Sequence, residues 1–379
     1  MKKFIFVLIF FLLAGFGCLF YIKGIAPSSL SENHESKYAA PDETAKSGKA
    51  FEHESESNNE SGGDVKNAVR SLTLSFAGDV LLDGNVATLI KSKGIDYLAS
   101  DVKGVFSSSD ISMLNLENPV SLNGTKAQNK QFTFRADPQY ADVLTALNID
   151  VVTLANNHSL DFGEEALTDT FDNLDRVNVK YVGAGYDVDG ASKPVLFDKN
   201  GFTTAILGSS HVIPEASWAA GANKIGLATT YDPSRLLSEI EAAKKTSDLV
   251  VVYLHWGEEL MTEPLDYQRN LAKAYIDKGA DIVIGSHPHV LQGLEFYKGK
   301  LIAYSMGNFI FTDIKRDTMI LTLKYTNDSF KAAIVPCRIE NYRPILINDK
   351  TQQQDFFKRI EALSYNVRID ENGGIESLE

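Results

Sequence analysis

Short apolar runs recur along this chain, and several end on a side chain of the kind that binds metals or moves protons. Val151-Val152-Thr153-Leu154-Ala155 leads into Asn156-Asn157-His158, and Leu249-Val250-Val251-Val252-Tyr253-Leu254 leads into His255. Asp281-Ile282-Val283-Ile284-Gly285-Ser286 leads into His287-Pro288-His289, and Leu72-Thr73-Leu74-Ser75-Phe76-Ala77-Gly78 delivers Asp79. Runs of this length predict buried strands. In an open α/β sheet, ligands gather beyond the carboxyl ends of the strands. Four strands that each present such a residue at that edge predict one shared polar site.

Helix-like segments alternate with these runs. The stretch 85–90 is amphipathic, and 111–116 reads as a strand leading into Glu117-Asn118-Pro119. Asp137 as N-cap with Pro138 in the first turn opens a helix. Residues 163–176, 234–245, 267–278 and 352–363 read as further helices, and 180–183, 203–208, 301–305, 318–325 and 332–339 as strands. The order predicts an α/β fold, with βα units first and a more antiparallel, strand-rich end.

The start of the chain is different material. After Met1-Lys2-Lys3, residues 4–22 are almost wholly apolar. At roughly 1.5 Å per residue a helix there is about 28 Å long, close to the thickness of a bilayer core. A transmembrane signal anchor is the expectation, with 1–3 cytoplasmic and the remainder outside. A cleaved signal peptide is the rival, but no clear small-x-small site precedes the polar stretch. Lipidation at Cys18 is disfavoured by Gly15, which stands where a leucine-like residue is expected. Residues 23–70 lack apolar periodicity and are expected to form a disordered polar linker carrying His34 and His53 as solvated residues. The expected folded domain is 71–340, with 341–379 as a C-terminal extension containing a helix.

The net charge of −13 argues against nucleic acid and against docking on anionic lipid. With two cysteines, Cys18 and Cys337, no intrachain disulfide staples the exterior domain. Cys337 sits among strand-like residues, poor surroundings for a nucleophile.

In His287-Pro288-His289, proline disfavours the helical region for the residue before it, so an extended tripeptide is expected. Both imidazoles would then project to one side and reach one metal. His255 is followed by Glu258 and Glu259, and the latter is a candidate to orient an imidazole. Asn157 offers a carbonyl ligand and His158 a proton-transfer group, flanked by Asn156 and Asp161. Taken singly, these asparagines, Asp79 and Glu117 would serve equally as turn or capping residues. Asn308, after the 301–305 run, is a candidate to face the cleft, whereas His211 is left outside it. Imidazoles mixed with two carboxylates and an amide suit Mn, Fe or Zn better than Ca, with one or two ions. No Walker loop, Gly-x-Ser-x-Gly elbow or dinucleotide fingerprint occurs.

Six motifs, in this order, resemble the CapA (PgsA) poly-γ-glutamate capsule proteins: Phe76-Ala77-Gly78-Asp79-Val80, Asn115-Leu116-Glu117-Asn118-Pro119, Ala155-Asn156-Asn157-His158, His255-Trp256-Gly257, Ser286-His287-Pro288-His289-Val290 and Tyr304-Ser305-Met306-Gly307-Asn308-Phe309. They span about 72–325. The family is similar to calcineurin-like metallophosphoesterases, which implies a four-layer sandwich of two central sheets flanked by helices. The resemblance casts Asp79, Glu117, Asn157, His255, His287 and His289 as metal positions, and His158 as the acid or transition-state histidine. Leu81 stands where phosphoesterases usually place a histidine, and the Glu117 segment replaces their bridging aspartate motif. One metal subsite is therefore expected to be a ligand short.

Two functions follow as expectations. One is an anchored protein of poly-γ-glutamate synthesis or export, working with a membrane-bound synthase and the polymer, with a local metal or a cation such as Arg135 receiving carboxylates. The other is a metal-dependent hydrolase of a phosphate ester or amide at the cell surface, with His158 as proton donor.

Overall fold

The computed structural model describes residues 70–379 except 129, 327 and 328. The segments 1–3 and 4–22, and all but the last residue of the linker 23–70, lie outside the described residues. Among the described residues no helix is long and apolar enough to cross a membrane.

Two mixed sheets form the centre. The 10-stranded sheet runs Val367–Ile369, Gly374–Ser377, Ser329–Glu340, Lys315–Thr326, Leu72–Val80, Ile111–Leu116, Val151–Thr153, Lys180–Val182 from edge to edge. Asn308–Ile310 joins it beside Leu72–Val80, and Arg343–Leu346 beside Ser329–Glu340. From Leu72–Val80 to Lys180–Val182 the pairing is parallel. From Leu72–Val80 toward the C-terminal strands it is antiparallel. The 6-stranded sheet runs Leu294–Tyr297, Lys300–Ala303, Ile282–Ser286, Leu249–His255, Phe202–Ser210, Val195–Lys199. Its four inner strands are parallel and its two edges antiparallel.

Alternation along the strands explains the layers. Leu72, Leu74 and Phe76 of one sheet and Val251, Tyr253, Ile282 and Ile284 of the other share a core between the sheets. Val152, Leu114 and Val80 face the opposite way and pack on Val86, Leu144, Leu167 and Phe171 of the outer helices. Val250, Val252 and Val283 do the same with Ile240, Tyr275 and Ile276. The result is helix, sheet, sheet, helix. Each parallel neighbour requires a crossover, and the helix Asp266–Lys278 supplies the one between Leu249–His255 and Ile282–Ser286. The helices Gly163–Arg176 and Ser234–Lys244 form where the periodicity predicts them, and Asp137 caps Gln139 N–H as expected, although a 3-10 turn precedes the α-helix Asp142–Leu147. Residues beyond 340 are built into the same unit: three of their strands extend the larger sheet, and Phe356, Phe357 and Ile360 of Lys350–Leu363 enter the central core.

Candidate metal centre

The two sheets bring their carboxyl ends together. Tyr253 on one donates its hydroxyl to Ala77 O on the other at 2.8 Å, two residues from Asp79. An irregularity in register between Phe76 and Asp79 breaks the alternation that otherwise sends even-numbered residues of that strand inward. Such a bulge re-aims one side chain. Asp79 thereby accepts from Asn115 Nδ2 at 2.8 Å and from His287 N–H at 3.4 Å.

Four donor atoms converge beside it. His255 Nε2 lies 3.0 Å from Asn157 Oδ1, 3.1 Å from His287 Nδ1 and 3.8 Å from Glu117 Oε1. His255 Nδ1 is 3.0 Å from Ser286 Oγ. A proton on Nδ1 donated to that hydroxyl leaves the Nε2 lone pair for the cluster, the usual device that fixes a ligand's tautomer. His289 completes the group, with Nδ1 3.4 Å from Asp79 Oδ2 and Nε2 3.7 Å from Glu117 Oε1. Its Nδ1 is also 2.8 Å from Asn308 Oδ1, and Asn308 Nδ2 in turn donates to Asp313 at 2.5 Å. Asp79, Glu117 and His255 are wholly enclosed.

Burial sets the protonation pattern. It pushes the His255 imidazole well down, assisted by His287 and His289, and takes His287 down to about 3. Burial also raises the Glu117 carboxyl well above its usual range, reinforced by Asp79. For His289, burial acts downward but Glu117 and Asp79 outweigh it, lifting the imidazole to about 10. The two enclosed carboxylates thus favour a proton on the His289 imidazole.

His158 lies at one side. Its Nδ1 lies 2.7 Å from Asp161 Oδ2 and 2.9 Å from Lys130 Nζ, Asp161 also accepts from Phe134 N–H, and Phe134 packs its ring on the imidazole. Burial lowers the His158 pKa against the pull of Asp161. In the tautomer that donates from Nδ1 to Asp161, the neutral ring keeps its Nε2 lone pair to accept a proton. Asn156 is used structurally: its amide donates to Asn115 Oδ1 and Leu116 O, and its Oδ1 accepts from His158 N–H.

Three expectations change. His287-Pro288-His289 is not extended, because His287 has φ 96° and His289 φ 59°. Both sit in the left-handed region, and the rings still meet, with centroids 5.8 Å apart. The proline constrains His287 less than the hydrogen bonds of the turn do. Arg135 does not face the site; its guanidinium donates to Leu122 O and Asn123 O and lies over Phe162, holding its own loop. The cation at the site is Lys130, which sequence reasoning missed. Its ammonium pairs with Asp161, donates to Asn157 O and lies 5.1 Å from the Trp218 ring centroid. Burial lowers its pKa against Asp161. His211 packs on Tyr267 and Tyr231 as a bystander, and burial lifts the Cys337 thiol to about 12.

Asn115 was also missed, although alternation offered a signal. Ile111 and Met113 point into the central core, so Asn115 and Glu117 follow on the same side.

Residues 73–313 match the family model described as bacterial capsule synthesis protein PGA_cap. The chain is 33% identical to a PGA biosynthesis protein CapA of Bacillus subtilis, covering 81% of this chain and 84% of that one. It is 31% identical to a capsule biosynthesis protein CapA of Bacillus anthracis over 76% and 72% respectively. A probable polyglutamine synthesis accessory protein of Mycobacterium tuberculosis is 34% identical over 53% of this chain and 55% of its own. Among solved structures, Haemophilus influenzae NAD nucleotidase aligns with 12% identity and a TM-score of 0.42, over 80% of this chain and 57% of that one.

Proposed function

The chain belongs to the bacterial capsule synthesis protein family PGA_cap, and on that footing we propose that it serves poly-γ-glutamate synthesis or export at the cell surface through a divalent-cation site. In this reading the segment 4–22 anchors it in the membrane by a single pass, with 71–379 on the extracytoplasmic side beside the membrane-bound synthase and the polymer. The stacked sheets with metal-type residues at their carboxyl ends support a metallophosphoesterase-like classification.

One atom carries the cation reading. Glu117 Oε1 is buried and has no hydrogen-bond partner among the described residues, an arrangement that is costly unless a cation answers it. The donors around it fit such an ion. Ligands bound at about 2.1 Å in tetrahedral array stand about 3.4 Å apart, and the observed spacings run from 3.0 to 3.8 Å. Glu117, Asn157, His255 and His287 would hold one ion, with Asp79 and His289 adjoining. Nitrogen and oxygen donors without thiolate suit Mn, Fe or Zn. A cation so held supplies Lewis-acid polarisation of a substrate oxygen and a counter-charge for a carboxylate.

The test is genetic. Deletion in a polymer-producing host should abolish surface poly-γ-glutamate, and the wild-type gene should restore it. Unchanged polymer after deletion would overturn the capsule role.

A second reading, a metal-dependent phosphoesterase or amide hydrolase, is favoured by the His158–Asp161 pair. Asp161 holds the ring so that Nε2 is available to take a proton and return it to a leaving group. Cation-dependent turnover by the purified protein that falls in His158→Ala, with retained cation unchanged, would establish it.

A further inference from the structure

A cavity of about 250 Å³ lies on the helix side of the smaller sheet, where the strand Phe202–Ser210 ends beside the first turn of the helix Ser234–Lys244. Its floor is buried at Gly208, Ser209, Leu227 and Leu236, and its mouth carries the exposed Asp232 and Arg235. That volume is far more than one water or a bare ion needs.

Ser209 is the informative residue. It stands beside Leu254 in the sheet, and Leu254 and Leu207 both pack on the helix side with Leu236 and Ile240. Alternation therefore turns Ser209 toward that helix, whereas Ser210 pairs with His255. Ser209 is 1% exposed, and its hydroxyl has no hydrogen-bond partner among the described residues. A buried hydroxyl left unpaired is costly. The N–H groups of Arg235 and Leu236, in the first helical turn, also donate to no described residue. Such a turn attracts a negatively charged oxygen.

The neighbouring carboxylates narrow the ligand. Asp232 accepts from Ser234 N–H at 3.0 Å, and Asp189 pairs with one nitrogen of Arg235 at 3.0 Å, which leaves further guanidinium N–H groups. Asp189 and Asp232 outnumber Arg235 here. A dianion is thereby disfavoured, and a ligand that brings its own positive charge is favoured.

We propose that this cavity binds the head of an α-amino acid, with the carboxylate inward on Ser209 and the helix N–H groups and the ammonium outward on Asp232. The side chain leaves through the mouth, so a free amino acid fits, as does the amino end of a γ-linked glutamyl chain. The chain end rests on the capsule role proposed above; the cavity itself does not.

The test is calorimetry on the full chain, purified in detergent and held in chelator so that no cation contributes. Glutamine, which has the head and the γ-amide of such a chain end, is one probe, and γ-glutamylglutamate the other. One equivalent of glutamine is expected, weakened about tenfold or more in Ser209→Ala. Asp232→Asn, which keeps an acceptor for Ser234 N–H, should weaken it too. Glutarate and inorganic phosphate lack the ammonium and should bind more weakly. Without ligand, Ser209→Ala should not lower Tm, because the hydroxyl it removes is bonded to nothing in the protein. Binding of the dipeptide as well assigns the cavity to a chain end, and its exclusion assigns it to a free amino acid. No glutamine binding, undiminished binding in Ser209→Ala, a lowered Tm in that variant, or phosphate bound as tightly as glutamine would overturn the proposal. Polymer lost on gene deletion without glutamine binding would leave the capsule role standing, so the two failures are distinguishable.

Discussion

His287 Nδ1 faces His255 Nε2 at 3.1 Å inside the protein, and burial lowers the pKa of both imidazoles so that both rings are neutral. At that distance one neutral ring donates its N–H to the other, and a bound cation would replace that hydrogen bond by taking both lone pairs. A cation there should contribute measurably to stability. At a hundredfold excess over its dissociation constant it adds about 2.7 kcal/mol. At a few degrees per kcal/mol, chelation should lower Tm by about 5 °C. His255→Gln should abolish that chelator effect while circular dichroism keeps its native form. A Tm indifferent to chelator in the wild type would count against the cation.

The pH dependence of binding follows from His289. Its imidazole is raised to about 10 by Glu117 and Asp79, so the cation-free cluster carries a proton at neutral pH. An incoming ion must displace it, whereas His255 and His287 are already neutral. Affinity should therefore rise with pH, by about tenfold per unit between pH 7 and 9. Calorimetry in buffers of different ionisation enthalpy should report about one proton released per ion. A release near zero would show that the cluster is already deprotonated.

Much of this site was legible because its residues terminate the most apolar strands. His255 continues the inward face of Val251 and Tyr253, and Ser286 that of Ile282 and Ile284. Asp79 was found as the residue that closes the run 72–78, whereas alternation alone would misplace it, since Leu72, Leu74 and Phe76 put the even positions inward. Only the bulge corrects the register, and a bulge leaves little trace in residue types. Lys130 was invisible for another reason. It comes from an irregular loop, and tertiary folding alone brings it to Asp161. Short strands such as Arg343–Leu346 and Gly374–Ser377 were missed likewise, because so few residues show no period.

The Lys130–Asp161 pair should respond asymmetrically to substitution. Asp161 is fully enclosed and Lys130 nearly so, with its side chain 13% exposed. Asp161→Ala leaves a buried ammonium without its partner and His158 without its orienting acceptor. A loss of about 3–5 kcal/mol is expected, as for other broken buried pairs. Lys130→Met is milder, at about 1–2 kcal/mol, because Asp161 still accepts from Phe134 N–H and His158. Urea denaturation of both variants measures the difference. Equal losses would mean that His158 and Phe134 do little for the carboxylate.

Gly78 is the tightest backbone contact at the site and gives the sharpest mutational contrast. A Cβ built there would stand 1.8 Å from Gly307 O and 2.9 Å from the carbonyl carbons of Gly307 and Met306. All three are backbone atoms, so no side chain can swing aside. The same Gly307 O accepts from Asp79 N–H at 2.9 Å, and any separation of the two segments pulls Asp79 away from Asn115 and His287. Gly78→Ala should therefore cost more than about 3 kcal/mol, the range of severe overpacking. Any folded fraction should hold its cation less tightly. Gly104 is exposed in the short helix Lys103–Ser107, with nothing within 4 Å of its built Cβ. Gly104→Ala should instead be neutral or stabilising by up to about 1 kcal/mol, since alanine is the better helix former. Comparing soluble yield, Tm and retained metal for the two variants separates a general intolerance of alanine from the specific need for close approach beside Asp79.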